Sequence, residues 1–121
     1  MNKLRFYFFH LMPYPHLPPT AEFPSTWVSL SNKLYDPQRG RVLYNEYIDQ
    51  LAMAEKFGYD GVAVNEHHAN FYGTMPSPNI IAAMLVQRTN HIPIGVIGNA
   101  IPLHGNPLRV AEEIAMLDVI S

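Results

Sequence analysis

Apolar residues follow two alternating patterns along the chain, short continuous runs and positions at helical spacing. The run from Leu4 to Leu11 is almost entirely apolar, which is typical of a strand buried on both faces of a parallel sheet. A second run covers Val62 to Val64, and a third lies within the segment IPIGVIGNAIPL. These runs predict three buried strands.

Helical spacing of apolar residues predicts a helix after each strand. Gly58 is a stop signal for the first helix, whose apolar face consists of Tyr44, Tyr47, Ile48, Leu51, Ala54 and Phe57. The second should start at Ser77-Pro78 and run to about Thr89. The third should start at Asn106-Pro107 and continue through Leu108, Val110, Ala111, Ile114 and Leu117. Both starts place a capping side chain before a proline, which is favoured in the first helical turn.

The alternation of strands and helices predicts an α/β fold with parallel strands and right-handed crossovers. The loops after the strands, residues 13–40, 65–76 and 102–106, should then meet at the carboxyl end of the sheet, where such folds build their sites. A (β/α)8 barrel takes about 250 residues, whereas the 121 residues here supply three βα units. We therefore expect residues 1–121 to be the front part of a longer protein.

The segment from Met12 to Gly40 is rich in proline and is predicted to be irregular. Loops of this length are uncommon in compact domains and are usually lids or binding loops. Two interpretations are open, a lid over the site or a surface loop that covers the sheet. Phe23, Trp27 and Tyr35 within it either line a substrate pocket or pack the loop.

Composition narrows the range of partners. The formal net charge is −2 at pH 7 and the chain has no run of Lys or Arg, so we expect neither nucleic acid nor a membrane surface as a partner. The absence of cysteine excludes disulfides and thiolate metal ligands, and a cytoplasmic location is the natural expectation. No stretch approaches the roughly 18 apolar residues that a membrane span requires.

The stretch VNEHHANFYG places Glu66, His67 and His68 directly after the second predicted strand. Successive side chains of a strand point to opposite faces, so only one of the two histidines should face a site. Adjacent histidines also lack the spacing that a shared metal ion needs, and we expect no metal. The alternative to catalysis is that Glu66 and one histidine cap the strand end by bonding to the backbone.

This motif is one of several that occur together. GYDGVAVNEHHANFYG, the proline start of the second helix, and the order N-P-L-R-x-A-E-E-x-x-x-L-D in the third helix resemble the N-terminal part of the luciferase-like, flavin-dependent monooxygenases. The resemblance covers residues 43–121 and the first strand. It implies that residues 1–121 are the N-terminal portion of one (β/α)8 TIM-barrel domain, with reduced FMN bound at the carboxyl end of its strands.

The resemblance also implies roles for individual residues. His67 corresponds to the family histidine that performs acid–base chemistry beside the flavin ring, and an imidazole titrates near neutrality as that role requires. The residues expected around the cofactor are Gly98, Asn99, Glu66 and His68, with Glu66 and Asn65 orienting the imidazole. The family's non-proline cis peptide aligns with Gly98-Asn99, where the alternative is a simple bulge.

The activity implied is oxidation of a small organic substrate with O2, using reduced flavin supplied by a separate flavin reductase. One alternative is hydride transfer with the deazaflavin F420 in the same type of barrel. Another is a homologue that binds flavin without catalysis. The protein is expected to be a homo-oligomer.

Overall fold

The computed structural model describes residues 3–19, 23–25 and 27–121. Within these residues, strands and helices alternate: β1 (Tyr7–Phe9), α1 (Pro37–Lys56), β2 (Gly61–Asn65), α2 (Pro78–Val86), β3 (Ile94–Ile97) and α3 (Pro107–Ile120). The strands form one parallel sheet in the order β1-β2-β3. The predicted α/β arrangement of three βα units is confirmed.

The core lies between the central strand and the first two helices. All five residues of β2 are buried, and they include the apolar run from Val62 to Val64 that predicted the strand. Val62 and Val64 pack in one cluster with Leu51 of α1 and Leu85 of α2. Burying each such side chain contributes about 1.5–3 kcal/mol, so β2 is the most firmly held strand and a rigid support for the residues that follow it.

Helix α1 begins earlier than predicted. The Asp36 side chain accepts a hydrogen bond of 2.8 Å from the backbone N–H of Gln38, and Pro37 occupies the first turn. Pro37 is therefore part of a helix start rather than of the irregular loop. Gly58 ends the helix as predicted, with a φ of 78°. The prediction for Phe57 was wrong: it is the C-cap, one residue past the helix, and is 71% exposed.

The edges of the sheet are less buried than their sequences predict. Tyr7 and Phe9 of β1 are 46% and 45% exposed, because in the described part of the chain β1 pairs with β2 alone. On α3, Val110 is the buried residue, whereas Leu108 is 59% exposed. No helix among the described residues is long and apolar enough to cross a membrane.

Candidate functional site

The loops that follow β1 and β2 meet at the carboxyl edge of the sheet, as predicted. The N–H of Tyr14 donates to the carbonyl of Phe71 at 2.9 Å, and that of Thr74 donates to the carbonyl of Met12 at 3.0 Å. Helix α1 supports both loops, because the Tyr47 hydroxyl donates to the Pro13 carbonyl at 2.7 Å and the Tyr44 hydroxyl donates to the Thr74 carbonyl. The aromatic stripe of α1 thus positions the site as well as filling the core.

His67 lies two residues past the buried end of β2 and is held on several sides. Its Nδ1 is 2.5 Å from Oδ1 of Asn65, and its backbone N–H donates to the carbonyl of Met75 at 2.9 Å. A Cβ on Gly73 would come within 2.8 Å of the imidazole, so glycine allows the loop to lie against the ring. Nε2 makes no hydrogen bond to any described residue and is free for other chemistry.

Aromatic side chains complete the surroundings of His67. Trp27, from the proline-rich segment, stacks on Tyr72 with ring centroids 4.8 Å apart, and the Tyr72 ring lies 5.5 Å from the imidazole. The Trp27 ring also meets the imidazole edge-on at 6.4 Å. Tyr35 instead packs on Tyr14 and Phe71. Of the three aromatic residues considered in this segment, Trp27 is therefore the one placed beside His67 in the described structure.

The side chains of Glu66 and His68 bond to each other, whereas that of His67 bonds to Asn65. Nε2 of His68 is 2.6 Å from Oε1 of Glu66, and the N–H of Ala100 donates to Oε2 of Glu66 at 2.6 Å. Burial alone would raise the pKa of Glu66, but the hydrogen bonds from His68 and from the Ala100 backbone together lower it. Glu66 is thus an ionised link between the end of β2 and the loop after β3.

The turn after β3 differs from its prediction. The Gly98-Asn99 peptide is trans, as are the other peptide bonds of the described residues, so the expected cis bond was wrong. The chain instead turns through Asn99, which has a φ of 65° in the left-handed region that asparagine tolerates better than most residues. Glycine at position 98 allows this turn to lie close to Glu66, since a Cβ there would be 2.7 Å from Cβ of Glu66.

A series of hydrogen-bonded side chains connects Asn99 to helices α2 and α3. Nδ2 of Asn99 donates to Oδ1 of Asn79 at 3.0 Å, Nδ2 of Asn79 donates to Glu113 at 2.8 Å, and Arg109 donates to Glu113 at 3.0 Å. The hydrogen bond from Asn79 and the nearby Arg109 lower the pKa of Glu113, so the carboxylate end of the series only accepts. This carboxylate fixes the orientation of both amides: Nδ2 of Asn79 must face Glu113, and Nδ2 of Asn99 must then face Oδ1 of Asn79. Oδ1 of Asn99 is left buried without a hydrogen-bond partner in the described structure.

Sequence reasoning missed several members of this site, among them His10, Asn79 and Glu113. The His10 carbonyl accepts a hydrogen bond from Asn65, a backbone contact that no side-chain motif reveals. Asn79 is 6% exposed within an otherwise apolar helical face, and that polar interruption was the available signal. Among the described residues, no cluster of three or more His, Asp or Glu side chains is placed to hold a metal ion.

A comparison of the sequence with models of known protein families agrees with these parallel βα units and with the position of His67. The chain belongs to the luciferase-like monooxygenase family, whose model matches residues 25–121. This confirms the resemblance on which the residue roles were predicted.

The chain is also similar to proteins whose names state an activity. The chain is 32% identical over 89 residues to the oxygenase component of the flavin-dependent trigonelline monooxygenase of Acinetobacter baylyi, a match that covers 74% of this chain and 24% of that protein. It is 38% identical over 71 residues to the alkanal monooxygenase beta chain of Aliivibrio fischeri, covering 59% and 22% respectively. The chain spans about a quarter of the length of the curated relatives it matches.

A solved structure shares the fold. The oxygenating constituent of 3,6-diketocamphane monooxygenase from Pseudomonas putida, a type II Baeyer-Villiger enzyme in complex with FMN, superimposes with a TM-score of 0.67 at 19% identity. The superposition covers 98% of this chain and 27% of that one. The arrangement of three βα units is therefore that of the corresponding part of a larger monooxygenase.

Proposed function

We propose that the chain is the N-terminal part of a single-domain (β/α)8 flavin-dependent monooxygenase that oxidises a small organic substrate with O2. Its partners would be reduced FMN and a separate flavin reductase, in a cytoplasmic homo-oligomer. The observation that carries the proposal is the placement of His67 at the edge of the sheet where the loops meet, with no hydrogen bond from its Nε2 to any described residue. Membership of the luciferase-like monooxygenase family supports the reaction class.

The residues at the end of β3 fit a flavin. Its ring carries N–H donors, and Oδ1 of Asn99 is a buried acceptor that lacks a partner in the described structure. A buried polar atom without a partner is unfavourable by about 1–3 kcal/mol, so an N–H donor at this position would stabilise the site. Asn99 would hold the flavin edge, while Gly98, Glu66 and His68 would maintain the shape of the turn.

Each described residue would have a limited task in the reaction. Bound reduced flavin would supply the electrons with which O2 is activated and one oxygen atom is inserted into the substrate. His67 would take up and return a proton at Nε2, and Asn65 would orient its ring. Trp27 and Tyr72 would exclude water beside the imidazole.

Reaction of enzyme-bound reduced FMN with O2 tests the role of His67 without knowledge of the substrate. We expect His67→Ala in the full-length protein to slow this reaction by about 10²- to 10⁴-fold, the usual contribution of a positioned acid or base. FMN binding should largely survive. His68→Ala is the matched control, because His68 is the neighbouring histidine and bonds to Glu66. This variant should mainly lower the stability of the fold. Equal rates for wild type and His67→Ala would contradict the assignment.

Flavin titration tests the role of Asn99. Asn99→Gly removes the side chain and still permits the positive φ, so it should weaken binding of reduced FMN without straining the turn. Parallel titrations with F420 distinguish the two cofactors. Tighter binding of F420 than of FMN would favour the hydride-transfer alternative, and unchanged affinity in Asn99→Gly would remove Asn99 from the cofactor site.

A further inference from the structure

Asn65 has a buried side-chain amide with a different partner at each end. Its Nδ2 donates to the backbone carbonyl of His10 at 2.7 Å, and its Oδ1 lies 2.5 Å from Nδ1 of His67. A backbone carbonyl can only accept, so the nitrogen end of the amide must face His10. The oxygen end must therefore face His67, and the orientation of the amide follows from its partners.

The orientation of this amide determines the protonation of the imidazole. An amide oxygen only accepts, so Nδ1 of His67 must carry the hydrogen, and in a neutral imidazole Nε2 is then unprotonated. We propose that Asn65 holds His67 in the Nδ1-protonated tautomer and thereby makes Nε2 the nitrogen that accepts the proton in the reaction. This inference rests on the proposed function, because it specifies how His67 would serve as the acid–base group.

The position of Asn65 suits it to this task. It is the last residue of β2, is 3% exposed and lies beside Ile97 of β3, so its backbone is held by the sheet. His10 directly follows β1, and its imidazole is bound elsewhere, to Gln50 and to the N–H of Met12. Rotating the amide by half a turn would place its oxygen against the His10 carbonyl, so that two acceptors would face each other.

The other groups around His67 do not compete for Nδ1. Glu66 and His68 flank it in sequence but bond to each other. Tyr72 and Trp27 present their rings, and the Met75 carbonyl is occupied by the backbone N–H of His67. Among the described residues, Asn65 is therefore the polar side chain that contacts a ring nitrogen of His67.

Nitrogen-15 NMR of histidine-labelled full-length protein tests the tautomer directly and needs neither flavin nor substrate. At a pH where His67 is neutral, we expect the spectrum to show a protonated Nδ1 and an unprotonated Nε2. The His67→Ala spectrum identifies the signals. A protonated Nε2 in the wild-type protein would overturn the proposal, whatever the outcome of the FMN measurements.

Two substitutions at Asn65 separate control of the tautomer from simple packing. Asn65→Leu fills similar space and accepts no hydrogen bond, so both tautomers of His67 should be populated. The reaction of bound reduced FMN with O2 should then slow, by no more than the roughly 10²- to 10⁴-fold that a positioned acid or base contributes. Asn65→Asp loses the hydrogen bond to the His10 carbonyl, because a carboxylate only accepts, but it still accepts from Nδ1 and should keep the tautomer. Its carboxylate favours the imidazolium, so the pH at which the rate is half-maximal should move upward.

Asn70→Ala is the matched control. Asn70 also braces the loop after β2, bonding to the carbonyl of His68 and to the N–H of Gly73, but it does not contact the imidazole. It should leave both the tautomer and the pH profile unchanged. If Asn65→Leu and Asn70→Ala slow the reaction equally with no change of tautomer, loop stability explains the effect and the proposal fails. If Asn65→Leu does not fold, the wild-type spectrum and the pH profile of Asn65→Asp still decide.

Discussion

Gly98→Ala tests whether close packing between the ends of β2 and β3 shapes the candidate site. A Cβ at position 98 would lie 2.7 Å from Cβ of Glu66 and 3.2 Å from the Glu66 backbone nitrogen. Neither atom is the far end of a flexible side chain, so the strand end or the turn must shift. The shift would disturb the Glu66 carboxylate, which accepts the N–H of Ala100 at 2.6 Å.

The size of the effect follows from two opposing contributions. Forcing an extra methyl group into a close-packed site costs about 1–3 kcal/mol. Replacing glycine lowers the entropy of the unfolded chain and returns about 0.4–1 kcal/mol. The difference is a net loss of up to about 2.6 kcal/mol in the free energy of unfolding, with a central value of about 1.3 kcal/mol. Gly95→Ala is the control, because its Cβ would make ordinary contacts of 3.5 Å with the Val62 carbonyl and 3.9 Å with Cβ of Ala63.

Urea denaturation of the full-length protein measures this difference, provided that the slope with denaturant is unchanged. Gly95→Ala should be as stable as wild type or up to about 1 kcal/mol more stable, while Gly98→Ala should unfold at lower urea and exchange the Ala100 amide hydrogen faster. Equal stability of the two variants would refute the packing argument. So would a destabilised Gly98→Ala in which the Ala100 amide keeps its protection.

Two further predictions concern acid stability and association. Because the pKa of Glu66 is lowered in the fold, its contribution to stability is present above the ordinary glutamate value of about 4.3 and is lost as the pH falls through the lowered value. Glu66→Gln should therefore flatten the acid dependence of the urea midpoint across that pH range. An unchanged dependence would show that other groups cause it. The 121-residue chain by itself should associate, because Phe9 of β1 and Val119 of α3 are 45% and 83% exposed; a monomer by sedimentation that melts in one cooperative step would contradict this.

The order of the elements was predictable from sequence because each signal is local. Continuous apolar runs marked β2 and β3, and a cap followed by proline marked the starts of α2 and α3 within a residue. The same signal stood at Asp36-Pro37, where the density of prolines hid it. Alternation of side chains predicted that one of the two adjacent histidines faces a site, and the family motif selected His67, which the structure places at the predicted edge.

The sequence by itself determined the parallel βα order, the carboxyl edge as the place of the candidate site, and the motif that contains His67. Tertiary structure alone decided which groups contact that histidine. The bond from Asn65 to the His10 carbonyl joins residues 55 positions apart, and the path from Asn99 through Asn79 to Glu113 joins the end of β3 to two helices. The trans turn through a left-handed Asn99 was likewise decided there. Such contacts depend on how separate elements pack, and local periodicity contains no information about that packing.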